Sequence, residues 1–177
     1  DAVRFDHYLA TNCEKLSSDR RLDFLRQIAD AIRYAHSKRV IHRSLGPQSI
    51  LVKHASSSSP KLQVFNWQVG VRDTTSTSAR VTNVENLVES QALVYMSPEA
   101  LSDSRKVTEA SDVFSLGAIA FHLFASRPPA GSAAELAHIL RDDKGLSISS
   151  VLDGAGPKLE ELIQWSTHPD VLTRIGT

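Results

Sequence analysis

The sequence has almost no cysteine and no excess of charge of either sign. Cys13 is the only cysteine among 177 residues, so no disulfide can form within the chain. This composition suits a reducing compartment, and we expect a cytoplasmic protein. Twenty basic and twenty acidic residues give a formal net charge of zero. No field over the whole molecule therefore favours a nucleic acid or an anionic membrane, and neither is expected as a partner.

Long apolar runs, a signal sequence and paired metal ligands are also missing. No apolar run approaches the roughly 20 residues that a membrane-spanning helix needs, and the residues from Asp1 to Asp6 do not form a signal sequence. The seven histidines are scattered, without the paired spacing that zinc or iron ligands usually show, so no metal site is expected. Because the chain begins at Asp1 rather than at methionine, we expect a piece of a longer polypeptide.

What is present is enough apolar sequence for one domain. A length of 177 residues and a hydrophobic content of 41% are typical of a single domain, 1–177, with a sizeable core. Periodicity and turn residues predict helical turns over 5–10, a helix from 18 to about 36, strands over 50–52 and 61–65, a helix over 112–125, and helices after 132 and 157. The fold class is therefore mainly α with a small β-hairpin.

Two of these helices carry polar residues that need an interpretation. Ser17, Ser18 and Asp19 offer N-cap oxygens to the first long helix, and His36 near its end is interpreted as a packing residue or a helix-terminal cation, not a ligand. The segment 112–125 is apolar nearly all round, which predicts a buried central helix. Asp112 is a candidate for its N-cap. His122, inside the apolar run, is interpreted as a core histidine.

Residues 40–52 read Val-Ile-His-Arg-Ser-Leu-Gly-Pro-Gln-Ser-Ile-Leu-Val. This stretch resembles the catalytic loop of protein kinases, in which His-Arg-Asp is followed by four residues and then Asn. His42 and Arg43 match the pattern. Ser44, Gly46 and Ser49 stand where kinases have the Asp that takes the substrate proton, a Lys near the transferred phosphate, and the Asn that holds magnesium.

Further motifs of the kinase family occur in the same order along the chain. Asn66-Trp67-Gln68 stands in place of Asp-Phe-Gly, whose Asp binds magnesium. Asn66 offers one neutral oxygen, whereas magnesium prefers carboxylates and phosphates, so no metal is expected there. Residues 66–99 correspond to the activation segment. It contains a Ser/Thr cluster, 73–78, that is either flexible surface or, less often, a phosphorylation site. Ser97-Pro98-Glu99 resembles the Ala-Pro-Glu motif at its end.

The ordered set of motifs makes the chain similar to the C-terminal lobe of a Ser/Thr protein kinase of bacterial type. The resemblance covers nearly the whole length and implies a helical bundle with a small β-hairpin, with the N-lobe absent from this chain. It also implies that Asp112, in a motif that runs to Gly117, accepts hydrogen bonds from the catalytic-loop backbone. Arg174 stands where kinases place an arginine that pairs with the glutamate of Ala-Pro-Glu, here Glu99.

The replaced residues lead to an expectation about function. A general base is worth about 10²–10⁴ in rate, and the metal ligands and the lysine are lost with it. We therefore expect a catalytically inactive pseudokinase that is not an enzyme, does not bind ATP with magnesium and has no cofactor. It would act as a protein-interaction or regulatory module, with another protein or other domains of the same polypeptide as its partner.

Two alternatives belong to the enzyme class. The chain could be a fragment of an atypical active Ser/Thr protein kinase whose ATP-binding N-lobe lies upstream. The residues before Asp1 would discriminate the two kinase hypotheses. A hydrolase with Ser44 as nucleophile is rejected, because the sequence has no Gly-x-Ser-x-Gly elbow and His42 lies only two positions away.

Overall fold

The computed structural model describes residues 2–67, 90–142 and 144–175. Its six α-helices in these ranges are α1 (Phe5–Asn12), α2 (Ser18–Ser37), α3 (Pro98–Ser102), α4 (Glu109–Ala125), α5 (Ala133–Asp142) and α6 (Pro157–Ser166). Short 3₁₀ turns occupy Cys13–Lys15, Pro47–Ser49, Ser90–Tyr95 and Ser104–Lys106. The strands are β1 (Ala2–Arg4), β2 (Ile50–Lys53) and β3 (Lys61–Val64). The mainly helical character predicted from the sequence is confirmed.

The strands form a three-stranded antiparallel sheet in the order β1-β2-β3. The predicted hairpin supplies its central strand, β2, and one of its edge strands, β3. Val52 is paired with Val3 on one side and with Leu62 on the other. The sequence pattern did not reveal β1, because three residues directly before a helix are too few to show alternation. Their pairing with β2 is a tertiary contact.

Helix α2 begins at Ser18, and of the three predicted capping residues it is Ser17 that caps it, with its Oγ accepting a hydrogen bond from the Arg20 amide at 3.3 Å. Its buried residues Phe24, Ile28 and Ile32 recur every four positions, which places them on one face of the helix. This face contributes to the same apolar core as Phe114 and Ile119 of α4. The two helices thereby fix the position of the loop that follows α2.

Helix α4 is the buried central helix that its composition predicts. Eleven of its residues are buried, and Phe121 is only 4% exposed. It begins three residues earlier than expected, at Glu109, because Thr108 and Ser111 cap it and the Thr108 amide donates to Ser111 Oγ at 3.2 Å. The N-cap role predicted for Asp112 is therefore wrong, since Asp112 lies within the first turns of the helix. Its carboxylate is thus available for other partners.

Within the described ranges, none of the helices combines the length and the apolar composition that crossing a membrane requires.

Candidate functional site

Asp112 holds the loop that follows α2. Its carboxylate is buried, with the residue 1% exposed, and accepts three hydrogen bonds from outside its own helix. Oδ2 accepts from the His42 amide at 2.8 Å and from His36 Nε2 at 2.9 Å, and Oδ1 accepts from the Arg43 amide at 2.9 Å. Donors on both oxygens compensate the carboxylate for lost hydration. The contact that the family resemblance implied between Asp112 and the loop backbone is present.

His36 is part of this arrangement, and the sequence interpretation missed it. The residue is 7% exposed, and its Nε2 must carry the proton because the carboxylate of Asp112 can only accept. A sequence signal existed, since His36 continues the row of Phe24, Ile28 and Ile32 at a spacing of four. A polar residue that extends a buried row needs a buried partner. That partner lies 76 positions away, which no local pattern reveals.

His42 joins the loop to the segment after β3. It is fully buried, and its Nε2 donates to the Phe65 carbonyl at 2.8 Å. Its ring meets the edge of Trp67 with the centroids 4.8 Å apart, and Trp67 Nε1 donates to the Val64 carbonyl at 3.1 Å. Burial lowers the pKa of His42, although the hydrogen bond to Phe65 opposes this shift. The imidazole is thus neutral and has a structural position.

The four residues at replaced catalytic positions lie in different surroundings. Ser49 is buried, and its hydroxyl accepts from the Gly46 amide at 3.1 Å and donates to the Gly46 carbonyl at 2.9 Å. Ser44 is half-buried and has no hydrogen-bond partner within the described part of the chain. Asn66 is exposed and has a positive φ of 63°. The Ser49 hydroxyl therefore closes the turn, whereas Ser44 and Asn66 are accessible.

Magnesium, which accompanies ATP in protein kinases, finds few suitable ligands here. Among the described residues no group of three or more His, Cys, Asp or Glu could hold a metal ion. Magnesium prefers carboxylates and phosphates, but Asn66 offers a neutral amide and the Ser49 hydroxyl is already paired. The residues that the structure describes at these positions do not fit a magnesium site.

Glu99 and Arg174 form a buried ion pair beneath α4. Arg174 Nη1 and Nη2 lie 2.6 and 2.9 Å from the two oxygens of Glu99, and Ser111 Oγ donates to Glu99 Oε1 at 2.8 Å. The guanidinium also lies over the Phe114 ring, 5.1 Å from its centroid. Burial would raise the pKa of Glu99, but the hydrogen bonds from Arg174 and Ser111 outweigh it and lower this pKa. The pair implied by the resemblance is present.

The remaining motif residues have local structural roles. Ser97 caps α3 by accepting from the Ala100 amide at 3.4 Å, and Pro98 occupies the first position of that helix. Gly117 lets α4 approach α6, because a Cβ there would lie 2.1 Å from Ser166 Oγ. The predicted Ser/Thr cluster, 73–78, and Gln68 lie outside the described residues, as does most of the segment 66–99.

The sequence was compared with protein families and with known proteins, and both comparisons found similarity. Residues 2–177 match a family model described as protein kinase domain. The chain is 28% identical over 194 residues to "Probable kinase PglW" of Streptomyces coelicolor, a match that covers 93% of the chain and 12% of that protein. It is 34% identical over 140 residues to "Serine/threonine-protein kinase AfsK" of the same organism, covering 77% of the chain and 16% of that protein.

A eukaryotic relative shows similar identity. The chain is 29% identical over 117 residues to "Aurora kinase A-A" of Xenopus laevis, covering 66% of the chain and 26% of that protein. The chain therefore spans between 12% and 26% of the length of these three relatives. Their whole activities, substrates and partners belong to much longer proteins.

These comparisons correct one expectation. The presence of Ser44, Gly46, Ser49 and Asn66 at the positions of the kinase Asp, Lys, Asn and magnesium-binding Asp led to the prediction that the chain is not an enzyme. The relatives are named as kinases, and the matched family is the kinase domain itself. The findings point to a kinase enzyme, so the prediction of a non-enzyme is contradicted. It was wrong because it gave four changed positions, three in the loop 40–52 and one after β3, more weight than the similarity of the whole chain.

Proposed function

Because this chain belongs to the protein kinase domain family, we propose that it is part of a Ser/Thr protein kinase that transfers the terminal phosphate of ATP to protein hydroxyl groups. In this proposal the chain corresponds to the C-terminal lobe, and the ATP-binding lobe is supplied by upstream sequence of the same polypeptide. The observation that carries the proposal is the match to the kinase domain over residues 2–177. The two relatives from Streptomyces coelicolor, both named as kinases, agree with it.

The way in which the loop is held supports the proposal. Phosphoryl transfer requires little covalent chemistry from the protein and relies mainly on positioning and on stabilising charge. Asp112 fixes the backbone at His42 and Arg43 with bonds of 2.8 and 2.9 Å. Arg43 has a φ of 72°, a conformation that a non-glycine residue keeps only where its surroundings hold it. A loop constrained in this way is suited to positioning a substrate.

Ser44 limits the expected rate. A serine hydroxyl is a much weaker base than a carboxylate, so Ser44 cannot supply the general-base assistance that is worth about 10²–10⁴ in rate. Protein kinases typically turn over at roughly 1–100 s⁻¹. The proposed enzyme is therefore a slow kinase, with a turnover of roughly 10⁻⁴ to 1 s⁻¹. No step is assigned to a metal ion, because the described residues do not fit a magnesium site.

The test is phosphate transfer from radiolabelled ATP to casein by the longer polypeptide that carries this chain, with magnesium in the buffer. We expect slow incorporation into casein that is lost in Asp112→Asn. Ser44→Asp should raise the rate by roughly 10²–10⁴ because it supplies a general base at the held loop.

Ser104→Asp is the matched control, because it adds the same charge at an exposed position outside the loop. It should leave the rate unchanged. Incorporation by the natural polypeptide that does not exceed the Asp112→Asn background would overturn the proposal, provided that circular dichroism shows both proteins folded.

A further inference from the structure

A cavity of about 480 Å³ lies beside the loop, where Pro47 and Gln48 line it. Its walls come from α1, the turn at Cys13–Lys15, Pro47 and Gln48, the stretch 91–95 and the connection after α4. The volume falls within the roughly 300–1,000 Å³ that is usual for pockets that take small organic molecules. Leu9, Val94 and other apolar side chains form part of the wall. The cavity can therefore bury the apolar body of such a molecule.

Tyr95 and His122 lie in its wall as a hydrogen-bonded pair. The Tyr95 hydroxyl is 2.6 Å from His122 Nδ1, and the two rings are stacked at an angle of 20°. A phenol is the stronger donor and an imidazole nitrogen the stronger acceptor, so Tyr95 donates to Nδ1. Burial lowers the pKa of His122 to about 4, and the ring is therefore neutral near pH 7. A neutral ring that accepts at Nδ1 must carry its proton on Nε2.

This proton is available to a ligand. His122 Nε2 has no hydrogen-bond partner within the described ranges, and it is not among the side-chain atoms that are buried without a partner. His122 lines the cavity. The Tyr95 hydroxyl thus fixes the tautomer, and His122 presents one N–H donor that cannot become an acceptor while this hydrogen bond lasts.

The charged side chains that line the cavity determine which class of ligand can accept the hydrogen bond from His122. Asp6 and Glu14 contribute two carboxylates and Lys15 one ammonium, and Asp6 is kept ionised by a bond of 2.8 Å from Arg4 Nε. Because Arg4 Nη2 also pairs with Asp6, the charges at the wall balance, and a carboxylate ligand would lose its hydration there without a net positive charge to compensate it. An ammonium ligand has no lone pair that could accept from His122 Nε2–H. A carboxamide has a carbonyl oxygen for His122 and two N–H donors for the carboxylates. It satisfies both kinds of group without a charge.

We propose that this cavity binds small neutral carboxamides with an apolar body, and that His122 Nε2–H donates to the amide oxygen. The test compares benzamide, benzoate and benzylammonium, which share a ring and differ in charge. Each is titrated to 50 mM into the isotope-labelled chain without ATP, and binding is followed by ¹H–¹⁵N NMR. We expect benzamide to bind at least about threefold more tightly than either ion and to shift the Nε2 signal of His122.

Two variants separate the donor from the fold. His122→Phe keeps a ring but removes the N–H, and should weaken benzamide binding roughly three- to tenfold, the usual range for one lost hydrogen bond. His122→Gln can accept from Tyr95 and still donate, so it should retain binding even if the Phe variant is unstable. His138→Phe, on the exposed surface of α5, is the control and should bind benzamide like the natural chain.

Several results would overturn the inference. These are no binding of benzamide at 50 mM, equal or tighter binding of benzoate or benzylammonium, unchanged binding by the folded His122→Phe variant, and loss of binding in His138→Phe. Because the titration needs no phosphate transfer, its failure leaves the proposed kinase function untouched, and failure of the kinase assay leaves this inference untouched.

Discussion

Arg174 and Glu99 are 75 positions apart in the sequence and form a two-point ion pair inside the protein, with N–O distances of 2.6 and 2.9 Å. The arginine side chain is completely buried and that of Glu99 is 9% exposed. The pair connects the end of the described chain to the start of α3. Its geometry makes a direct test of stability possible.

Arg174→Ala should lower the free energy of unfolding by about 3–5 kcal/mol, because it leaves the buried carboxylate of Glu99 without its counter-charge. Urea denaturation followed by circular dichroism measures this loss. Arg105→Ala is the control, since Arg105 pairs with Asp103 on the surface and is 88% exposed. It should unfold at the same urea concentration as the natural chain. A similar midpoint for the two variants would contradict a structural role for the buried pair.

His122 should make stability fall with acid. Burial lowers its pKa from 6.5 to about 4, so between these values the unfolded chain binds a proton that the folded chain does not. Stability is therefore lost as the pH decreases from about 6.5 to 4, by on the order of 3 kcal/mol from this residue. Unfolding free energies measured across that range test the sign and the size.

His122→Gln should remove that part of the pH dependence, whereas His7→Gln, at an exposed position, should not. His42 also has a lowered pKa and will leave a remaining slope of the same sign in both variants. An unchanged slope in His122→Gln would show that His122 is not buried in the neutral form.

Asp112→Asn should loosen the loop rather than only weaken the fold. An amide can accept through one oxygen but presents an N–H₂ group to the other backbone donor, so either the His42 or the Arg43 amide loses its acceptor. We expect amide hydrogen exchange at these two residues to become roughly ten- to hundredfold faster. Asp103→Asn changes a carboxylate that accepts from Arg105 in its own turn, and it should leave both exchange rates as they are.

Gly117→Ser should destabilise the contact between α4 and α6. A Cβ at this position would lie 2.1 Å from Ser166 Oγ and 2.8 Å from Thr167 Cγ2, and overfilling a packed site costs about 1–3 kcal/mol. Gly156→Ser is the matched control, because it has no atom within 4 Å of a new Cβ and precedes α6 at its N-cap. Thermal melting should separate the two variants, with only Gly117→Ser melting earlier.

Much of the fold could be predicted because its signals are local. The row of apolar residues in α2, the apolar composition of α4, and the turn residues between β2 and β3 each act over a few positions. The predictions failed where the structure or role of a residue depends on a partner that is distant in the sequence. Strand β1 forms only against β2. Asp112 was assigned to a cap because its position near the helix start resembles one, while Thr108 and Ser111 perform that role.

The candidate site was likewise predictable from the sequence only in part. The sequence by itself determined which residues stand at the loop, including Ser44, Gly46 and Ser49, and the order of motifs that links the chain to kinases. Only the tertiary structure decided that Asp112 binds His36, His42 and Arg43, that the Ser49 hydroxyl closes its own turn, and that Tyr95 is hydrogen-bonded to His122. The physical reason is distance along the chain. Periodicity reports the environment of a residue, but a hydrogen bond between residues 27 or 76 positions apart depends on how whole helices pack.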